Sequence, residues 1–381
     1  MKVILISNYI PDRQESMKRF AEMLHREYPK RGVETELWFP NVILGKGFKS
    51  TNTGIGKWLG YIDKWILFPL IIRWRILIKG LNKPDISFHV CDHSNSPYLA
   101  HLPQNKTVIT AHDMIAIRGG LGYADSHQQA SSFGKILQKW ILGNLKKAKK
   151  LASVSAFTLN QLKELAPDAS ANYTNWKVIL NPFNADFGKL NTNQIHQVLS
   201  TSGVAINQNF ILHIGSGLQR KNRVMLVKMV EELGPKWNGM VCYAGEEPDA
   251  DLLNAVERSG LKERVVFISK PSHELLRALY NACEAFVFPS FNEGFGWPLI
   301  EAQACGAAVI ASSYEPMPEV SGGAALYADP HNPSQFAQAL LKLQDEAFKN
   351  DLIKRGFENC ERFEMEKIIQ QYIALHKLPV A

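Results

Sequence analysis

The stretch Ala285–Ile310, AFVFPSFNEGFGWPLIEAQACGAAVI, admits few folds. An apolar run, Ala285 to Phe288, ends at Pro289; a glycine-bearing turn and a helix-compatible segment lead to a second apolar run, Ala307 to Ala311. Pro298 suits the first turn of that helix, where a missing N–H costs nothing. Gly306 suits its end, since glycine accepts the left-handed conformation that closes helices. Gly294, Phe295 and Gly296, just before the helix, would offer backbone N–H groups to an anion or a dense set of hydroxyls. Glu293 in the loop and Glu301 on the helix frame the turn, and carboxylates accept hydrogen bonds from hydroxyl-rich ligands. A lone glutamate here reads as an ordinary solvated charge. Two glutamates with flanking glycines read as a ligand site.

The 381 residues suffice for two domains of ordinary size, and 46% hydrophobic with 21% charged residues is the balance of a soluble globular protein. Five cysteines (Cys91, Cys242, Cys283, Cys305, Cys360), odd in number and without metal-like spacing, point to reduced thiols and a cytoplasmic location. Met1 to Ser7 is too short for a signal peptide and reads as a buried strand. A helix follows from Glu15 to Tyr28, with Met17, Phe20, Ala21 and Leu24 on one face, then a strand from Val33 to Phe39. That order implies a parallel sheet with ligand loops at the carboxyl ends of its strands. No Gly-x-Gly-x-x-Gly follows the first strand, which speaks against a dinucleotide site there. Ser16 reads as a helix cap before it reads as a phosphate contact. Further strands run from Asp85 to Val90 and from Thr107 to Met114, the latter carrying His112 and Asp113 at its carboxyl end. Phe133 to Lys150 reads as a helix with a basic end, and a strand begins at Leu151.

Charge is unevenly spread. Residues 1–150 hold 23 Lys and Arg against 11 Asp and Glu, a net +12, whereas the whole chain carries +7, so the remainder is net acidic. A basic half suggests an anionic membrane surface or an acidic acceptor; no nucleic-acid motif accompanies it, and no nucleic acid is expected as a partner. Residues 57–79 are rich in Trp, Ile and Leu, punctuated by Lys and Arg. The uncharged run Trp65–Ile72 is far short of the roughly 20 residues a span needs. Two readings stay open: an interfacial segment at the inner face of a membrane, or a core-packed helix pair with solvated cationic ends.

In the second half, Phe210 to Gly217 is a strand running into a glycine turn. Ser216 and Gly217 allow close approach of backbone N–H groups, and Arg220 and Lys221 supply positive charge. A basic pair is unfavourable at the positive end of a helix dipole, which favours an anionic partner. Two cations beside a diphosphate would stabilise the charge that develops as a nucleoside diphosphate departs. Met240–Gly245 and Arg264–Ser269 are further strands, the second running into Lys270. Asp249-Ala-Asp251 spells a metal-type Asp-x-Asp, but Pro248-Asp249 reads as a helix cap before Leu252. No metal or cofactor is expected. Polar residues from Gly188 to Asn209 read as a linker.

The run Phe288–Gly306 resembles the signature of retaining GT-B glycosyltransferases of family four (glycosyl transferases group 1), Pro-Ser-x-x-Glu-Gly-Phe-Gly-x-Pro-x-x-Glu-Ala-x-x-x-Gly, matched throughout. Arg220-Lys221-Asn222, the Thr-x-His-Asp stretch ending at Asp113, Leu151–Thr158 and the helix from Arg362 to Tyr372 are similar to other elements of that family. The resemblance implies an α/β GT-B fold, two Rossmann-like domains with parallel sheets facing an interdomain cleft. Residues 1–187 would be the acceptor-side domain and 188–361 the nucleotide-sugar domain, with 362–381 crossing back to the first. It implies a retaining, metal-independent transfer from a UDP- or GDP-linked sugar to a glycan or lipid-linked acceptor in surface polysaccharide synthesis. Arg220 and Lys221 would hold the diphosphate, and Glu301 the ribose. Glu293, with Gly294 and the Phe295–Gly296 backbone, would hold the sugar; Lys270 would lie by the base, and His112 would reach the sugar from the first domain. The rivals are a GT-B-shaped phosphorylase or epimerase, and a non-catalytic nucleotide-sugar-binding subunit.

Overall fold

The computed structural model describes residues 1–48, 51, 53–126, 130–204, 206 and 208–379. Residues 1–124, 130–184 and 365–379 form one compact unit; 125–126 and 185–364 form the other. Each is built on a six-stranded, wholly parallel sheet, the two-domain Rossmann-like α/β architecture.

The first sheet uses β1 (Lys2–Ile6), β2 (Glu34–Trp38), β3 (Ile86–Val90), β4 (Thr107–Ala111), β5 (Lys150–Ser153) and β6 (Trp176–Val178), in the order β2-β1-β3-β4-β5-β6. In β1, Ile4 and Ile6 enter the core with Phe68, Phe88 and Tyr98, while Val3 and Leu5 enter the opposite core with Phe20, Tyr28 and Tyr372. Both faces being covered explains why the strand reads as a continuous apolar run instead of alternating. Tyr372 comes from the terminal helix Met365–Lys377, which packs on this unit; residues 380 and 381 of the expected terminal segment lie outside the described residues. β1 pairs with both β2 and β3 (Ile4 opposite Glu36 and Phe88), so the strand order reverses between β1 and β3.

The second sheet uses β7 (Phe210–Gly215), β8 (Met240–Gly245), β9 (Val265–Ser269), β10 (Ala285–Phe288), β11 (Val309–Ser312) and β12 (Leu326–Ala328), in the order β12-β11-β10-β7-β8-β9. Here the reversal falls between β7 and β10. Both runs that framed the opening motif are buried strands, and the helix between them is Trp297–Ala304.

Several boundaries differ from the sequence reading. β4 stops at Ala111, leaving His112 and Asp113 in the loop. The helix expected from Phe133 to Lys150 is Ser132–Leu145; Lys150 instead opens β5, buried, with Nζ donating to the His376 carbonyl at 2.8 Å. The polar stretch expected as linker contains the helix Thr192–Thr201, started by a reciprocal Asn191–Gln194 capping box, and residues 205 and 207 lie outside the described residues. Asp249 caps the helix Ala250–Arg258 by accepting from the Leu252 N–H at 2.9 Å.

The two readings of residues 57–79 divide the segment by face. It is two helices, Gly54–Ile62 and Phe68–Ile78, joined by a π-helical turn at Asp63–Leu67. Phe68, Pro69 and Ile72 are buried, whereas Trp58, Ile66, Leu70, Trp74, Leu77 and Ile78 are exposed. Trp65 belongs to the packed face, tilted on Tyr98 at 5.3 Å and edge-on to Trp140. Among the described residues, no helix is long and apolar enough to cross a membrane.

Candidate functional site

Parallel sheets bind ligands in the crevice outside the carboxyl ends of their strands, where the strand order reverses. In the second unit that point lies between β7 and β10, and the two loops leaving it are tied together. After β7 the chain runs through Ser216 and Gly217 into a single turn, Gln219–Lys221, closed by Asn222 in the left-handed conformation with φ +52°. The Asn222 amide secures this geometry by donating to the carbonyls of Pro289 (3.2 Å) and Pro330 (2.8 Å). The Phe291 N–H, in the loop after β10, donates to the Arg220 carbonyl at 2.8 Å.

This closure brings Glu293 between the two cations. Arg220 Nη1 lies 2.6 Å from Glu293 Oε2, and Lys221 Nζ lies 2.6 Å from Oε1. Arg220 Nη1 also donates to the Asn292 carbonyl at 2.9 Å. Glu293 is only 6% exposed. Burial raises its pKa, but Lys221 and Arg220 pull harder and hold it below the usual carboxylate range. Burial also draws the Lys221 ammonium down, more than Glu293 raises it. With two cations facing one carboxylate at bonding distance, the ionised triad is the state the geometry fits, with a net charge of +1 at neutral pH.

The helix that follows starts at Gly296, whose φ of +97° suits glycine; a Cβ there would meet Leu299 Cδ1 at 3.3 Å. Glu301 is nearly buried, and its Oε2 accepts from the hydroxyl of the fully buried Tyr280 at 2.9 Å. Phe295 is buried too, its ring edge-on to Trp297 and Phe363. Gly217 is half-buried, its N–H donating to Glu246 Oε2 at 2.8 Å. A Cβ on Gly217 would meet Arg223 Nη2 at 3.0 Å, a close contact that the guanidinium would have to yield to. Lys270 is exposed at the end of β9, with φ +45° and its N–H on the Gly245 carbonyl at 2.7 Å.

Three groups at this site escaped the sequence reading. Tyr280 and Glu246 each fix one member of the expected set. His213, on β7, is buried beneath the glycine turn, with Nδ1 on the Val287 carbonyl at 3.0 Å; burial pulls its pKa down to about 4. Asn222 entered the sequence reading only within the Arg-Lys-Asn pattern, and no spacing rule links Tyr280 to Glu301.

His112 lies in the first unit, at the carboxyl end of β4. Its Nε2 faces the Cys91 carbonyl at 2.8 Å and its ring meets Phe20 edge-on at 4.8 Å. A carbonyl only accepts, so the proton sits on Nε2 and Nδ1 is the acceptor, without a partner among the described residues. Burial lowers its pKa, so the ring is neutral at pH 7.

Residues 200–359 match the model of the family described as Glycosyl transferases group 1. The chain is 33% identical over 177 residues to O-antigen chain mannosyltransferase B of Escherichia coli, covering 45% of this chain and 46% of that protein. It is 26% identical over 306 residues to O-antigen chain mannosyltransferase RfbU of Salmonella typhimurium, covering 78% and 77%. The chain thus spans less than half the length of the first of these relatives and about three quarters of the second. Among solved structures, Anabaena HepE in complex with UDP-glucose is similar with a TM-score of 0.71 at 16% identity, covering 99% of this chain and 100% of that one, a likeness of fold. The match to the Glycosyl transferases group 1 model thus falls within the second unit, on a chain of two-domain Rossmann-like architecture.

Proposed function

We propose that this protein is a retaining, metal-independent glycosyltransferase of family four, moving a hexose from a UDP- or GDP-linked donor to a glycan or lipid-linked acceptor in surface polysaccharide synthesis. The observation that carries the reading is the buried Arg220–Glu293–Lys221 triad where the second sheet's strand order reverses. A diphosphate placed against the Arg220 and Lys221 side chains and the Gly217 turn meets positive charge that needs no reorganisation as the leaving group gains its own. Glu293 keeps both cations in place and, with the Phe295–Gly296 backbone, receives the sugar hydroxyls. Glu301, aligned by Tyr280, takes the ribose; Lys270 lies by the base; His112 offers Nδ1 to a sugar hydroxyl. The mannosyltransferase relatives make mannose the first sugar to try.

The test is a thermal-shift panel of UDP, GDP, ADP and their common sugars, followed by transfer to a mannose-terminated glycan. A ligand at 100 times its Kd stabilises by about 2.7 kcal/mol. One nucleotide family should stand out, with transfer lost in Glu293→Ala. Binding without turnover for any acceptor would favour a non-catalytic subunit; turnover with free phosphate in place of an acceptor would favour a phosphorylase. Work at the inner face of an anionic membrane belongs to the same proposal. It is supported by the exposed Trp58, Trp74 and Trp140 and the exposed Arg73, Lys135 and Lys139 on neighbouring turns.

A further inference from the structure

The glycine turn after β7 is also bonded to the loop that follows β8, residues 246–249. Glu246 makes the link twice. Its N–H donates to the Gly215 carbonyl at 3.2 Å, and its Oε2 accepts from the Gly217 N–H at 2.8 Å. Gly245 lets the two backbones approach this closely: its φ is +133°, and a Cβ there would meet the Gly215 carbonyl oxygen at 2.3 Å. Arg223 pins the same loop. Its buried guanidinium donates to the carbonyls of Glu246 and Glu247, each at 3.2 Å, and to the Asp249 carboxylate.

Two charged groups of opposite sign therefore adjoin the turn. One is the Arg220–Glu293–Lys221 triad, net +1. The other is Glu246, Asp249 and Asp251 against the cation of Arg223, which is already bonded to Asp249. A cavity of about 310 Å³ beside Gly217 is lined by Arg223, Asp249 and Asp251 among others, and holds no further cation among the described residues. A Cβ on Gly217 would lie 3.6 Å from Glu246 Oε2 and 3.7 Å from Asp249 Oδ2, so both carboxylates face this residue. Asp249 is neutralised by Arg223. Glu246 is exposed and forms no ion pair among the described residues.

The Glu246 carboxylate thus occupies the place of any phosphate oxygen that takes the Gly217 N–H. Its backbone is bonded on both sides, so only the side chain can turn away, and the charge stays within a side chain's length of the turn. A charge so placed penalises each further negative charge on a ligand. The two nucleotides of a transfer differ in that respect. The diphosphate of a sugar nucleotide is esterified at both ends and carries two negative charges. When the sugar leaves, the terminal phosphate becomes a monoester whose second ionisation lies near pH 6, so the diphosphate carries about three charges at pH 8.

We propose that Glu246 is a specificity-determining residue: held against the Gly217 N–H, it disfavours the free nucleoside diphosphate relative to the sugar nucleotide, and so favours exchange of product for donor. This rests on the reading of the triad and the glycine turn as the diphosphate site. One unit charge 4 Å away in water-like surroundings is worth about a factor of five in an equilibrium constant, and screening leaves about threefold.

Glu246→Gln tests this, because the amide oxygen still accepts from Gly217 while the charge is gone. Calorimetric titration of the full chain at pH 8 and low salt compares UDP with UDP-glucose, and GDP with GDP-mannose. For the pair that binds, the Kd of the nucleoside diphosphate should fall at least threefold further than that of its sugar nucleotide. The melting temperature should stay that of wild type, and the gap should close at about 1 M NaCl. Glu246→Lys, at the same exposed position, should widen the gap to about ninefold, the square of the threefold effect of removing one charge. An equal change for both ligands, weaker binding of both as a mere brace would give, or no change overturns the inference and leaves the diphosphate site standing. No binding of either pair to wild type overturns that site, and this inference with it.

Discussion

Glu293→Gln removes one charge, keeps the side-chain shape and leaves Arg220 and Lys221 facing each other. Removing one partner of a fully buried ion pair costs about 3–5 kcal/mol. The Arg220 and Lys221 side chains retain 17% and 11% exposure, so water relieves part of this. A loss of about 3 kcal/mol is expected, which for a domain of 150–250 residues lowers the apparent melting temperature by about 6–12 °C. The same substitution should strengthen binding of the nucleoside diphosphate. The triad goes from +1 to +2, and one unit charge about 6 Å from a phosphate is worth about 3 kcal/mol at an effective dielectric of about 20. After salt screening, at least a tenfold drop in Kd for UDP or GDP should remain in calorimetric titration, together with loss of sugar transfer. The two effects have opposite signs, so the variant is less stable when empty and recovers more when loaded. A melting temperature within 2 °C of wild type would mean that the carboxylate does not hold the cations. An unchanged or weaker Kd would mean that Arg220 and Lys221 do not meet the diphosphate, and the site assignment would fail.

Three further outcomes follow from named contacts. Tyr280→Phe deletes the hydroxyl that Glu301 accepts inside the core, and urea denaturation should show a loss of about 1.5–3 kcal/mol, as for hydrogen bonds to charged groups. His213 is held neutral by burial with a pKa of about 4, so the unfolded chain binds a proton near pH 6.5 that the folded one refuses; stability should fall by about 3 kcal/mol from pH 6.5 to 4, and His213→Asn should flatten that slope. Trp58→Ser with Trp74→Ser should reduce co-sedimentation with phosphatidylserine vesicles at unchanged melting temperature, while Trp65→Ser should lower the melting temperature because that ring packs on Tyr98 and Trp140.

The sequence made the fold legible wherever a local rule applied. The strands on either side of Pro298 and Gly306, the aspartate cap at Asp249 and the helix from Glu15 each carry their own signal. The site was legible where residues cluster in the chain, as at Arg220-Lys221 and Glu293. That these two loops meet is a matter of sheet order, β10 lying beside β7 with two strands formed between them in the chain. No spacing reports it. Tyr280 and His213 were hidden for the same reason: each acts on a partner reached only through tertiary packing. Residues 57–79 left two readings open because composition averages over a helix, while burial sorts Phe68 from Trp74 by angle.

Charge shows the same separation between composition and site. The first 150 residues are the basic part, yet the cavity at their sheet's reversal point, lined among others by Asn8, Gln14, Ser94 and Asn95, has only Lys57 and Lys64 as cations, the latter bound to Asp12, and no arginine. The remainder is net acidic, yet its reversal point holds the paired cations. The basic excess of the first part instead reaches the surface at Arg73, Lys135, Lys139 and Lys147. Net charge therefore reports long-range attraction, of the kind that draws a domain to an anionic surface. The ligand's own charge is set by the few groups that the two loops at a sheet's reversal bring together. On that reading, neutralising Arg73, Lys135 and Lys139 should weaken vesicle binding and leave the nucleotide Kd alone, whereas Lys221→Met should do the opposite. If both properties moved together in either variant, surface field and site would be one electrostatic unit, and the division drawn between them would be wrong.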